Sequence, residues 1–474
     1  MEINTLPNET TSFNSTSHAL VLPVIGNTGI NSKHARREFQ SLEPIVGAAF
    51  RSAIGQQPEG SNTKADAKLL IEKVCLEVSS DCEPDFRSVL RDSYFDRDNG
   101  GLRRFCTESL LCLTHPSNSH KKNVTSLDAL GEFFAEIFIT DDEKGQLKSV
   151  GQGELHLLDQ EMQKALQIKD QPRASNSVPV RRYFESELIA SFRKDIASLS
   201  RNSSTLLAHV DVVVRIYLFH YITEVVRHLS ATVRSLPGKI EDEELRGLYY
   251  ILEGERSSSS RLSVTNGWAS VRDVFSDVFS HINCLEVLNH IRVSDQDALD
   301  YADIAGNETE EMLAAVKQVA RDFASTASSW RKGAFSRGED LLNGIEKADS
   351  SAAAVTELWK WINFEIKNTG RDRIWKDVGK WFEEFAYGSL LQQRGRVGYL
   401  AILPLRYLHL LVFLAVKASG QERIRLKEFW SALLQRGFRF DETTKGAVVE
   451  NLESIGILET RSDSGDARYV RSPF

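Results

Sequence analysis

Few residues in this 474-residue chain have the types and spacing that chemistry requires. Glu365-Ile366-Lys367 has the Glu-x-Lys half of a metal-dependent nuclease site, where carboxylates hold the metal and a lysine assists the attacking water. It lies in helical sequence, and no strand carrying a partner Asp precedes it. Cys106, Cys112, His115 and His120 fall within fifteen residues, but structural zinc favours pairs two to four residues apart. The spacing instead reads Cys106 and Cys112 as core positions of a helical segment from Leu102 to Leu113. Gly26-Asn27-Thr28-Gly29-Ile30-Asn31-Ser32-Lys33 resembles a phosphate-binding loop superficially and lacks the glycine directly before the lysine. A serine-hydrolase elbow, an HExxH helix and a dinucleotide fingerprint are all absent. The expectation is a protein that is not an enzyme and that carries no cofactor and no metal.

What remains is phosphate-contact chemistry. Lys445, Arg461, Arg468 and Arg471 cluster near the C-terminus, and Arg394 and Arg396 precede them in a glycine-containing stretch, Gln392 to Gly398, that reads as a linker. These six are the candidate DNA-binding residues. Arg436 and Arg439 add to the same basic surroundings.

The elements that must position them follow a recognisable order. Leu405 to Ala418 reads as an apolar helix and Arg423 to Leu426 as a short extended piece. Lys427 to Arg436 reads as a second helix ending on Gly437. A third helix, Thr443 to Ile455, starts after Asp441 and stops at Gly456. Ile457 to Arg461 and Arg468 to Arg471 read as strands around a Ser, Gly and Asp turn. This order is that of a winged helix. The third helix presents Glu442, Glu450 and Glu453 beside Thr443, Thr444, Lys445 and Asn451, which is poor chemistry for reading bases in the major groove. Residues 395–474 hold twelve Lys and Arg against nine Asp and Glu, a net of +3 in a chain of net charge −8. With a pI near 5.9, any nucleic-acid contact must be local. A protein dock is an equally open reading of the same module.

The rest reads as mainly α, a helical multi-domain protein with a C-terminal winged-helix domain. Residues 1–62 form a polar lead, partly disordered, broken by a strand-like run at Ala19 to Ile25. Residues 63–170 form an N-terminal helical domain in which Leu69, Leu70, Val74 and Val78 share one face, as do Leu127, Leu130, Phe134 and Ile137. Asp141-Asp142-Glu143 reads as an acidic loop. A Pro, Ser and Asn rich break at Gln171 to Pro179 leads into a central helical domain, 180–394. There Arg182 to Ser198 is amphipathic, and Leu206 to Val233 is apolar on nearly every side, which predicts a central post surrounded by other helices. Trp359, Trp361, Trp375, Trp381, Phe382 and Phe385 alternate with basic residues. Helical spacing assigns them to packing rather than to base stacking. The four serines after Arg256 read as a flexible loop; the functional reading is a partner-binding surface made by Glu253, Glu255, Arg256 and Arg261. Five cysteines without CxxC spacing fit reduced thiols and a cytoplasmic location.

Three stretches carry a family resemblance. They are Val214-Arg215-Ile216-Tyr217-Leu218-Phe219-His220-Tyr221, the run from Leu248 through Arg261 to Gly267-Trp268, and the tail from Leu458 to Val470. Over residues 180–474 the chain resembles DptG, a component of bacterial DNA phosphorothioation-dependent restriction systems. The resemblance implies a non-catalytic adaptor subunit in anti-phage defence. Its partners would be a HerA-like ATPase and a second NTPase-like subunit of the same operon, acting together on DNA that lacks the backbone sulfur. Two other readings of the chain are a winged-helix transcriptional regulator and a metal-dependent nuclease subunit using Glu365 and Lys367.

Overall fold

The computed structural model describes residues 39, 41–58, 64–75, 83–95, 102–113, 121–149, 156–170, 180–236, 246–256, 261–292, 298–327, 336–368, 381–460 and 468–473. The strand-like run at 19–25, the glycine-containing stretch at 26–33, Cys82, His115, His120, Trp375, Arg461 and the turn at 462–466 lie outside the described residues.

The chain is mainly helical and is built around one helix, Ser203–Ser235. Asn202 starts it by accepting the Thr205 N–H at 2.9 Å, and 33 residues free of glycine and proline carry it for about 50 Å. Every residue from Val213 to Val226 is buried. By length and composition this helix is apolar enough to cross a membrane, yet here its flanks are covered by protein. Helices Glu43–Ile54, Ala190–Leu199, Trp268–Phe275, Val278–Leu288, Tyr301–Ala305 and Ser351–Asn368 pack on it. The central-post expectation therefore holds. The aromatic stretch joins the same core: Phe219 stacks on Phe382 at 5.1 Å, and Phe382 on Phe275 at 4.4 Å. Trp361, Trp381 and Phe385 are buried alongside.

Several sequence expectations need correction. The polar lead does not run to residue 62, because Glu43–Ile54 is a helix whose Pro44 to Phe50 are all buried. Small residues make this possible. A Cβ on Gly47 would lie 1.9 Å from the Leu113 carbonyl oxygen, and one on Gly131 would lie 2.5 Å from that of Ile45. The helix thus crosses Lys121–Phe138 at a separation that larger side chains forbid. Asp141-Asp142-Glu143 is not a loop but the first turn of helix Asp141–Ser149, where carboxylates complement the helix dipole. The segment 102–113 is helical only over Thr107–Leu111, with Cys106 and Cys112 at its two ends. The segment expected to be one amphipathic helix from Arg182 opens with a π turn, Glu185–Ile189, before α-helix Ala190–Leu199.

The largest correction concerns residues 391–403. Leu391–Arg394 and Gly398–Leu403 form an antiparallel hairpin, so the stretch read as a linker is sheet, and the division placed between 394 and 395 falls inside it. Gly398–Leu403 also pairs in parallel with Ile251–Leu252. Next to it, Leu248–Tyr249 pairs in parallel with Phe438–Arg439. Residues 248–252 are therefore a seam stitched into the C-terminal third. A buried ion pair reinforces that seam. Arg436 Nε donates to Asp195 Oδ2 at 2.8 Å, its Nη2 donates to Oδ1, and Tyr217 O–H also donates to Oδ2. Neither partner's side chain exceeds 3% exposure.

Candidate nucleic-acid interface

The C-terminal elements follow the expected order closely. Helix Leu405–Ala418 is followed by strand Arg423–Arg425, helix Leu426–Gln435 and strand Phe438–Arg439. Helix Glu442–Ser454 and strands Leu458–Thr460 and Arg468–Arg471 complete the chain. Asp441 caps the third helix by accepting the Thr444 N–H at 2.9 Å, and Gly437 and Gly456 both take the left-handed backbone that ends a helix.

Arg468–Arg471 lies between the other two strands, antiparallel to each. Period-two alternation turns Ile424, Leu458 and Val470 into the core, all at 9% exposure or less. The opposite face carries Arg423, Arg425, Glu459, Tyr469 and Arg471. Register sets Arg471 against Arg423, and Tyr469 between Arg425 and Glu459. Like charges placed opposite one another need a counter-charge, and Glu459 supplies it. Its carboxylate lies 3.0 Å from Arg423 Nη1 and 3.4 Å from Arg471 Nη1. The Arg423 guanidinium also lies 5.0 Å from the Tyr469 ring centroid. One carboxylate thus serves a face bearing three arginines, with Arg468 exposed at the end of the strand.

The candidate residues separate under this geometry. Arg468 makes no ion pair among the described residues. Arg471 is largely committed to the fold, since its Nε and Nη2 donate to the Gly456 carbonyl at 3.1 and 2.8 Å and so cap the third helix. Lys445 bonds Glu442 on its own helix at 2.7 Å. Arg394 and the backbone of Arg396 belong to the 391–403 hairpin, a different sheet. Arg436, counted in the basic surroundings, is the buried partner of Asp195. Arg423 and Arg425, absent from the candidate set, join the face. The pattern Arg423-Ile424-Arg425 was the signal, because alternation around one buried Ile puts both arginines on one side.

The segment 253–261 turns inward. Glu253 Oε2 accepts the Leu405 N–H at 2.9 Å, capping the first helix of the module. Glu255 accepts from Arg261 Nη1 at 2.8 Å. Arg261 forks onto Asp441, Nη2 to Oδ1 at 2.7 Å and Nε to Oδ2 at 3.0 Å, and reaches Thr444 as well. Burial pushes the Asp441 carboxyl up, but the bonds from Arg261 and the Thr444 N–H outweigh it and hold the group below its ordinary range. Three of the four residues read as a partner-binding surface therefore contact this chain's own third helix or first helix; Arg256 remains exposed. The start of the third helix, where a base reader makes its contacts, is occupied by this latch. Its outward residues include Glu442, Thr443, Glu450 and Glu453.

The pair read as half of a nuclease site is divided between two environments. Glu365 is 1% exposed and accepts the Trp361 indole N–H at 3.2 Å, whereas Lys367 bonds Asp277 at 2.7 Å. Both belong to helix packing. Burial pushes the Cys106 and Cys112 thiols up to about 12, and among the described residues no group of three His, Cys, Asp or Glu is placed to hold a metal ion.

No protein-family model matches this chain, and no curated protein matches it.

Proposed function

We propose that the protein is a non-catalytic adaptor subunit of a bacterial anti-phage DNA restriction complex, with residues 395–474 acting as a winged-helix domain. The observation that carries this reading is the outer face of the 423–425, 458–460 and 468–471 sheet. It gathers Arg423, Arg425 and Arg471 around a single Glu459, with Arg468 exposed at the strand's end on the other side of the alternation, beside a third helix whose outward side is acidic and whose start is latched. Such a surface suits sequence-independent contact with phosphates and is poorly suited to reading bases. That combination favours an adaptor over an operator-binding regulator. The strand pairing at 248–252 and the buried Arg436–Asp195 pair tie the module to the helical body. The partners follow from the DptG resemblance: a HerA-like ATPase and a second NTPase-like subunit, in the cytoplasm.

The test is DNA binding by the full chain across a salt series, on several unrelated duplexes, followed by co-purification with the operon's ATPase subunits. Removing one phosphate-binding side chain flattens the slope of log affinity against log salt by roughly 0.9. Arg468→Ala should do so on every duplex, and Arg425→Ala with Arg468→Ala should do so about twice over. If both variants bind DNA as the parent does and instead lose a partner subunit, the sheet face is a protein dock.

A further inference from the structure

A cavity of about 380 Å³ lies where the central helix meets the C-terminal module. It is lined by Asp211 and Arg215 of the central helix, Phe39, Ser389 of the turn before the 391–403 hairpin, and Arg406 and Tyr407. The volume is in the range of small-molecule sites. Its charges are unusual. Arg215 is buried and makes no ion pair among the described residues; its Nη1 donates to the Phe385 carbonyl and its Nη2 to the Phe39 carbonyl at 2.9 Å. The guanidinium also lies 5.4 Å from the Phe385 ring centroid, but carbonyl dipoles and a ring face are weaker compensation than a carboxylate, and most buried charges have a counter-charge. Asp211, one helical turn away, is shared with Arg104 at 3.5 Å, and Arg104 also lies 3.9 Å from Glu43. Arg406, exposed at the cavity's edge, has no carboxylate partner among the described residues. Three guanidiniums against two carboxylates leave one positive charge at this site.

We propose that this cavity binds the phosphate of a small organic phosphate about the size of a mononucleotide, with Arg215 and Arg406 as the anion-binding pair. Two of the five Arg215 N–H donors are spent on fixed carbonyls, which sets the plane of the fork before a ligand arrives. Planar guanidiniums match phosphate geometry, and an anion supplies the charge that the protein lacks here. Phe39 and Tyr407 also line the cavity, which leaves an apolar part of the lining for a group carried by the phosphate. Burial depresses the Arg215 pKa, Tyr407 and Asp211 oppose it, and the Arg406 guanidinium adds to the depression; a bound anion would favour the charged form. The site is separate from the wing face and its arginines.

The experiment is calorimetric titration of the full chain with inorganic phosphate, AMP, GMP and adenosine. Phosphate-bearing compounds should bind and adenosine should not. Tighter binding of the nucleotides than of inorganic phosphate would assign the phosphate to a nucleotide, and equal binding would assign it to free phosphate; either supports the site. Arg406→Gln, at an exposed position, should keep the unliganded melting temperature and weaken binding by about tenfold or more. Arg215→Lys should weaken it too, whereas Arg468→Ala should not. Absence of binding at millimolar phosphate or nucleotide overturns the proposal. So does adenosine binding as tightly as AMP, or affinity unchanged in both Arg406→Gln and Arg215→Lys.

Discussion

Replacing Arg436 with Met tests whether the C-terminal module is locked to the helical body. The substitution keeps the side chain's length and apolar stem but removes two charge-assisted bonds to Asp195 and one to the Ala432 carbonyl. Asp195 has 0% side-chain exposure and, among the described residues, would keep only the Tyr217 O–H as a donor. Breaking a buried pair by removing one partner costs about 3–5 kcal/mol, because the remaining charge stays desolvated. Unfolding entropy of about 2.1 cal/mol/K per residue over this chain comes to about 1 kcal/mol per degree. The melting temperature should therefore fall by about 3–5 °C if the molecule melts as one unit, as the continuous core from Phe39 to Val470 implies. Adding Asp195→Asn removes the stranded charge and should recover most of the loss. Scanning calorimetry of the parent, both single variants and the double variant closes the cycle. A Met variant that melts within a degree of the parent would refute the argument, as would a double variant that loses the sum of the singles.

Two further outcomes follow from buried groups. Glu224 accepts the Gly247 N–H at 2.9 Å at the start of the Leu248–Tyr249 strand; burial pushes its carboxyl up to about 7, with that N–H, Arg227 and Arg246 pulling the other way. The folded state therefore holds a proton that the unfolded chain has already released, so this group's contribution to stability falls as pH rises from about 4.5 to about 7. Glu224→Gln should remove that part of the slope in denaturant titrations run from pH 5 to 8; identical slopes would show that Glu224 titrates normally. Gly437 sits at φ +90°, and a Cβ there would lie 2.2 Å from His220 Nδ1, on a ring that is fully buried. Gly437→Ala should cost about 2–5 kcal/mol from backbone strain and overpacking together, read as a matching drop in melting temperature. An alanine variant as stable as the parent would show that His220 moves aside freely.

The local part of this fold was legible in the residues themselves. Asp441, Gly437 and Gly456 mark helix ends because a cap depends on one residue and the few backbone groups next to it. The stretch from Leu206 to Val233, apolar on nearly every side, pointed to a helix surrounded by others, wherever its neighbours came from. The alternation in Arg468-Tyr469-Val470-Arg471 likewise separates the strand's two faces whatever strands lie alongside. Pairing at a distance was decided elsewhere. Residues 248–252 are short, and nothing in them specifies parallel partners at 402–403 and 438–439, since a strand's hydrogen bonds come from a backbone that every residue shares. Arg261 and Glu255 look like free surface charges until Asp441 is brought alongside, 180 residues after Arg261. Arg436 looks like one more basic group of the module until Asp195, 241 residues earlier, is buried against it. Long-range electrostatics depend on which faces meet, and that was settled only when the central helix drew both halves of the chain around its apolar surface.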